Sequence, residues 1–297
     1  MIYSSTPVQE IHAALLDKAG VRLLVKREDL NHPEISGNKW WKLKYNLEEA
    51  ARLRKETVLT FGGAFSNHVY AVAAAARENN FRSIGLIRGE ETLPLNATLS
   101  FAKSKGMAIQ YISREAYRLK HTPEFLNNLT SQYGDFYLIP EGGTNAHAVK
   151  GCAEFAEKEF THIDFDHLIL PVGTGGTIAG LICGFKGEKN VIGITVLKNG
   201  EFLKGEIEKL IGTFSGKSYG NWSLLTTYHH GGYAKVTKDL LDFVSAMNEK
   251  HTLPLDTVYT GKLMWAVMRE VEQKRFTPGS TVLALHTGGL QGNIRST

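Results

Sequence analysis

An α/β fold with parallel-rich sheets flanked by helices is the class this sequence predicts, on three observations. Short β-rich runs alternate with helix-like stretches along the 297 residues. Several of these runs end in glycine-rich turns, at Gly62-Gly63 and Gly142-Gly143 among others. No internal repeat, low-complexity segment or proline-rich linker breaks the alternation. Such alternation argues for βαβ units, whose crossovers are right-handed by default. At this length two sheets are favoured over one.

The elements follow in order. Residues 58–61 form a β-rich run ending at Gly62-Gly63, and the alanine-rich stretch 67–78 is helix-like. A strand is expected at 83–87, a helix near 96–105, a strand at 108–112 and a helix near 123–133. A strand at 136–139 closes this set at Pro140-Glu141-Gly142-Gly143. The alternation resumes with a strand at 167–172, a helix at 177–185, a strand at 191–197 and a helix at 201–211. A strand at 224–228, helices at 235–250 and 262–275, and a last strand at 281–285 complete the reading. In open α/β sheets, ligands bind at the glycine turns beyond the strands' carboxyl ends.

Bulk composition narrows the function. With 42% hydrophobic and 22% charged residues the chain has the make-up of a soluble globular protein. No apolar run approaches the roughly 18 residues that span a bilayer, and Met1 to Pro7 lacks the basic and apolar regions of a signal peptide. A cytoplasmic location is expected. Cys152 and Cys183 are too few for a disulfide framework or a zinc site, and read as buried small hydrophobes. The net charge of +4 is mild and its lysines and arginines are dispersed, which argues against a nucleic-acid surface.

Gly173-Thr174-Gly175-Gly176-Thr177 follows a strand and opens a helix. Glycines let the backbone approach a ligand, and free N–H groups at a helix start make an anion site suited to phosphate. A dinucleotide fingerprint is excluded because Ile178 stands where its third glycine belongs. A P-loop is excluded because Gly212 to Gly216-Lys217-Ser218 is one residue short and follows no strand.

Lys39 ends Ser36-Gly37-Asn38-Lys39 and begins a helix-like stretch, whose positive end lowers an ammonium pKa. Imine formation needs a neutral amine, yet most lysines are simply solvated. Ser66-Asn67-His68 starts the alanine-rich helix: Ser66 is an N-cap candidate, Asn67 a bare amide able to bind a ring hydroxyl, and His68 reads as packed. No residue set has metal-ligand spacing. Tyr259-Thr260-Gly261-Lys262 precedes a helix, and His286-Thr287-Gly288-Gly289 follows the last strand. Each alone is turn chemistry; together with the glycine loop they form the rim of one site.

These pieces, with Lys26-Arg27-Glu28-Asp29-Leu30 and Glu141-Gly142-Gly143, run in order from residue 26 to 289. On them the chain resembles the pyridoxal-5'-phosphate (PLP) dependent group containing 1-aminocyclopropane-1-carboxylate (ACC) deaminase and D-cysteine desulfhydrase, of the tryptophan-synthase β-like fold. The resemblance implies a two-domain fold and a homodimer. A larger PLP-binding domain would comprise residues 1–40 and 149–297, with a smaller α/β domain, 41–148, inserted into it. It implies that Lys39 is the Schiff-base lysine and moves protons at Cα, with Ser66 and Tyr259 completing the catalytic set. Asn67 would contact the ring hydroxyl, Gly173, Thr174, Gly175, Gly176 and Thr177 the phosphate, Tyr259 the ring face and Thr287 the pyridine nitrogen. Ser66, Asn67 and His68 would line the substrate side, and the partner would be a small amino acid.

Some positions depart from the family pattern. ACC deaminases of the group have an acid where this chain has Thr260, as the desulfhydrase branch does. A neutral partner makes a weaker electron sink, which suits β-elimination of a good leaving group. Phe65 and Tyr70 replace a glutamine and an arginine near the presumed substrate side. The expected reaction is therefore D-cysteine desulfhydrase-like β-elimination giving pyruvate and ammonia. ACC deamination, a racemase-like proton shuttle and a catalytically silent PLP- or amino-acid-binding protein are the alternatives.

Overall fold

The computed structural model describes residues 1–293. Its first elements are β1 (Val8–Ile11), α1 (Ala14–Ala19), β2 (Arg22–Lys26), α2 (Asn38–Arg52), β3 (Thr57–Gly62), α3 (Asn67–Glu78) and β4 (Arg82–Arg88). Next come α4 (Ala97–Ser104), β5 (Ala108–Ile112), α5 (Arg114–Arg118), α6 (Pro123–Tyr133), β6 (Tyr137–Ile139) and α7 (Ala146–Glu159). The chain continues through β7 (His167–Val172), α8 (Gly176–Phe185), β8 (Asn190–Thr195), α9 (Leu203–Ser215) and β9 (Trp222–Leu225). It ends with α10 (Lys238–His251), α11 (Thr260–Glu272) and β10 (Thr281–Leu285).

Two sheets form. The larger has six strands in the order β1-β2-β10-β7-β8-β9, and the smaller has four in the order β5-β4-β3-β6. Among the described residues only the β1–β2 pair is antiparallel, and every other pairing is parallel. The parallel-rich α/β class read from the sequence is the one observed.

Strand side chains alternate between faces, so the larger sheet has two apolar sides. Leu168, Leu170 and Val172 of β7 join one core with Leu24, Val191, Leu283 and Leu285, under α2, α7, α8 and α9. Ile169 joins the opposite core with Leu23, Val25, Ile192, Val282 and Ala284, under α1 and α11. In the smaller sheet, Leu59, Phe61 and Leu86 meet Tyr117 of α5 and Leu129 of α6. The alanine face of α3 packs on the other side, in the core shared with the larger sheet.

The α2–α7–α8 stack brings two helix starts together. A Cβ on Gly151 of α7 would fall 1.9 Å from the Trp41 carbonyl oxygen of α2, and one on Gly180 of α8 2.3 Å from Cys152 Cβ of α7. Only glycine permits these crossings, because any side chain would meet backbone or a buried neighbour. Trp41 is further fixed by stacking on Phe155 at 4.9 Å and by donating to buried Glu28 at 3.0 Å.

Some boundaries differ from expectation. β9 runs Trp222–Leu225 rather than 224–228, because β8 offers only residues 191–194 as its register partners. α11 starts at Thr260, not 262, because the Asp256 carboxylate caps its N–H groups. β1, α1 and β2 lie outside the expected alternation; β1, Val-Gln-Glu-Ile, is a half-polar edge strand with little hydrophobic signal. Among the described residues no helix is long and apolar enough to cross a membrane. Cys152 and Cys183 are buried and free.

Candidate active site

A cavity of about 920 Å³ opens where β3, β4, β7 and β10 end. Lys39, residues 66–68, the loop 173–177, Tyr259 and Thr287 all line it. The dispersed motifs thus converge on one site.

Lys39 is aimed by a turn that only glycine can make. Gly37 has φ +71, and a Cβ there would fall 1.8 Å from the Thr287 carbonyl oxygen. The Asn31 side chain clamps that glycine, accepting from its N–H at 2.8 Å and donating to its carbonyl at 3.0 Å. Asn31 in turn donates to Glu28 at 2.9 Å, and Asn38 N–H donates to Thr287 O at 3.3 Å. The Lys26-Arg27-Glu28-Asp29 segment therefore buttresses the lysine turn from behind. Lys39 Nζ donates to Asn38 Oδ1 at 2.8 Å, and Asn38 Nδ2 donates to Thr177 Oγ1 at 2.8 Å. Burial pushes the Lys39 pKa down to about 8, against the opposing pull of Cys152 and Asp256. The expected depression is present, but desolvation dominates where the sequence pointed to the helix dipole.

Lys42 was not singled out in the sequence. One turn beyond Lys39 on the same helix face, it is 2% exposed and donates to Thr144 Oγ1 at 3.0 Å. Burial, then the charge of Lys39, pushes it down to about 7. Its Nζ stands 3.2 Å from where a Cβ on Gly176 would lie. The i, i+3 spacing from Lys39 was the signal available.

The loop between β7 and α8 is a cradle of bare backbone. Gly175 has φ +81 and caps α8. The amides of Gly176, Thr177 and Ile178 begin the helix, so they lack intrahelical acceptors. Thr174 Oγ1 shares a hydrogen bond with Thr144 Oγ1 at 2.6 Å. Free N–H groups, hydroxyls and the Lys42 ammonium make a seat for a multiply charged anion.

Ser66 caps α3, its Oγ accepting from Val69 N–H at 3.3 Å. Asn67 Oδ1 accepts from Gln291 at 3.0 Å, and its Nδ2 lies against Gly289. His68 is buried and bonded to Thr60 Oγ1 at 2.8 Å. Burial, then Lys39 and Lys42, holds its pKa well below the usual histidine value, so it is neutral.

The start of α11 is organised by Asp256. Its carboxylate accepts from the N–H groups of Val258 (2.8 Å), Tyr259 (2.7 Å) and Thr260 (2.9 Å), and from the Thr260 hydroxyl at 2.6 Å. Thr260 is fully buried and spends its proton on Asp256, so an acid stands directly behind the position read as neutral. Tyr259 faces the cavity, its ring 3.3 Å from where a Cβ on Gly173 would lie. Buried Lys262 donates to Gly232 O at 2.8 Å. That bond ties down the loop carrying Tyr233, a further cavity-lining residue the sequence did not reveal, whose ring meets Tyr259 at 6.1 Å and 70°.

Two departures flagged from the sequence move away from the substrate side. Phe65 is 67% exposed, Tyr70 stacks on Phe101 at 3.7 Å, and neither lines the cavity. Phe65 lies in the turn that precedes α3, and Tyr70 faces Phe101 of α4.

Comparison with known proteins bears on the family and the fold. A family model described as pyridoxal-phosphate dependent enzyme matches residues 1–288. A putative 1-aminocyclopropane-1-carboxylate deaminase of Pyrococcus furiosus is 30% identical, over 97% of this chain and 91% of its own length. A D-cysteine desulfhydrase of Yersinia enterocolitica is 26% identical, over 97% and 92% respectively. The crystal structure of an ACC deaminase homologue superposes with a TM-score of 0.85 at 26% identity, covering 98% of this chain and 91% of that one.

Proposed function

The chain belongs to the pyridoxal-phosphate dependent enzyme family, and from that premise we propose that it catalyses β-elimination on a small amino acid such as D-cysteine, giving pyruvate and ammonia. One observation carries the reading: Lys39, with its amine pushed down to about 8, shares a cavity with the bare-backbone cradle at α8.

The residues present fit the cofactor. The α8 amides, Thr174, Thr177 and Lys42 suit its phosphate; among the described residues Lys42 has no carboxylate partner to compete for it. Asn67 and Thr287 suit the polar atoms of its ring, and Tyr259 the ring face. When bound, PLP supplies an electron sink for a carbanion at the substrate Cα. Lys39 Nζ takes the proton from Cα and, as the bond from Cβ to the substituent breaks, gives that proton to the departing group. The first-turn amides of α3, at Asn67 and His68, together with Ser66, seat the substrate carboxylate. Tyr259 closes the site against water.

The test is a substrate panel. Purified holoenzyme is mixed with D- and L-cysteine, other β-substituted alanines and ACC, and pyruvate and the ring-opened keto acid are assayed. Pyruvate from D-cysteine supports the reading. Keto acid from ACC alone, or no turnover of any β-substituted amino acid, overturns it.

Three coarser readings accompany it. The smaller sheet, built wholly from residues 57–139, supports an inserted unit of about 41–148 within a larger one of 1–40 and 149–297. A homodimer is checked by light scattering, and a cytoplasmic location by fractionation.

A further inference from the structure

Arg88 ends β4 at the carboxyl edge of the smaller sheet, where Gly62 of β3 pairs with Ile87. Its side chain lines the cavity. The guanidinium lies over the Tyr117 ring at 5.3 Å, and its NH2 group is 3.7 Å from where a Cβ on Gly63 would stand. Among the described residues no carboxylate pairs with it. Lys120 shares the same aromatic ring at 4.7 Å, but Glu141 neutralises it at 3.3 Å. Arg88 is thus a cavity-wall cation with no carboxylate partner among the described residues, as Lys42 is deeper in the same cavity.

An arginine stacked on an aromatic face is held in one plane with its donor edge free. That edge matches a carboxylate, sulfonate or phosphate by two parallel hydrogen bonds. The turn that begins at Gly63 ends at Ser66, whose N–H donates to Gly63 O at 3.0 Å. Arg88 therefore flanks the segment that seats the substrate α-carboxylate, but from the β4 side rather than at the α3 amides. One segment has anion-binding groups at both ends.

The geometry points to a substrate with two anionic groups: Arg88 receives a second, side-chain anion of the amino acid, beside the α-carboxylate held at the start of α3. This rests on the reading of α3 as the α-carboxylate seat. It makes the preferred substrate an amino acid whose β-substituent carries negative charge, and it makes Arg88 a specificity-determining residue.

Aspartate and asparagine separate charge from size, since they differ by one side-chain group of equal shape. Each enantiomer of each is titrated into holoenzyme, following the visible absorption of the cofactor. One charge-assisted pair predicts that aspartate binds about tenfold tighter than asparagine. In Arg88→Met and Arg88→Gln the ratio should fall to about one, since neither side chain can pair with a charge. Lys209→Met, which removes a different cation of the cavity wall, should keep the wild-type ratio. A wild-type ratio near one overturns the inference. So does an equal weakening of both ligands in the Arg88 variants, which would assign Arg88 to the α-carboxylate, and so does loss of the ratio in Lys209→Met. The β-elimination reading fails separately, by the absence of pyruvate in the substrate panel, and leaves these binding ratios measurable.

Discussion

Lys39 and Thr177 are joined through a single side chain: Asn38 accepts from Lys39 Nζ at 2.8 Å and donates to Thr177 Oγ1 at 2.8 Å. The amide thereby fixes the Lys39 amine relative to the cradle at α8. It also spans two helices, so the distance between amine and anion seat is set by a hydrogen bond rather than by packing alone. Asn38→Ala removes both bonds inside a largely buried site, which costs about 1–3 kcal/mol. The expected result is a kcat lowered roughly ten- to hundredfold, with a smaller change in KM. Steady-state kinetics of the variant checks this; a fall confined to KM would mean that Asn38 does not aim Lys39.

Lys42 trades stability for ligand binding. A buried ammonium without a carboxylate partner destabilises the fold, and its pKa falls from 10.5 to about 7 for that reason. The sign follows from linkage. Between about 7 and 10.5 the folded protein binds fewer protons than the unfolded chain, so the stability of the cofactor-free protein rises with pH across that window. Below it the full penalty applies. Lys42→Met should therefore stabilise the cofactor-free protein near neutral pH, by an amount that vanishes toward the upper end of the window. The same variant should weaken PLP binding about tenfold or more, because the phosphate loses a charge-assisted donor. Urea unfolding at three pH values and a cofactor titration read the two effects. Equal stability of variant and wild type at pH 7 would refute the trade.

Legibility in the sequence followed burial. β3, β7 and β10 read as strands because short apolar runs buried on both faces give a strong signal: Val58, Leu59 and Phe61, for example, are at most 2% exposed. β1 did not, because an edge strand needs apolar residues on one face only. The ordered set of motifs singled out the glycine loop, Lys39 and Asn67, and all three line the cavity. Lys42 was not, since its burial depends on Thr144 and Gly176 arriving from other elements. Tyr233 was not, since Lys262 brings its loop to the cavity from 30 residues away. Thr260 was visible as a residue type, but Asp256, which decides its chemistry, becomes its partner only through the fold.

That partnership limits what position 260 can accept. Thr260 sits 2.6 Å from a buried carboxylate to which it donates. Thr260→Glu would set two acids against each other where neither can be solvated. One must then stay protonated or the start of α11 must shift. The variant should lose on the order of a few kcal/mol of stability and a large part of its activity, because Tyr259 is carried by the same helix start. Adding Asp256→Asn should restore part of the Tm. Thermal unfolding of the single and double variants tests this, and an unchanged Tm in Thr260→Glu would show that the site tolerates a second acid.

Lys39 owes its depressed pKa to burial rather than to a neighbouring cation, since desolvation is the leading cause and Cys152 and Asp256 pull the other way. With a pKa of about 8 instead of 10.5, roughly a quarter of the amine is neutral at pH ~7.5, against about one part in a thousand for an ordinary lysine. Only the neutral form attacks an aldehyde. The rate at which cofactor-free protein takes up PLP should therefore climb with pH, bend near 8 and level off above it. Asp256→Asn removes a charge that favours the ammonium, so the bend should move to lower pH. Growth of the visible absorption after mixing, followed between pH ~6.5 and ~10, measures both. A rate still rising tenfold per pH unit at the top of that range would mean that the amine behaves as an exposed lysine and that burial does not tune it.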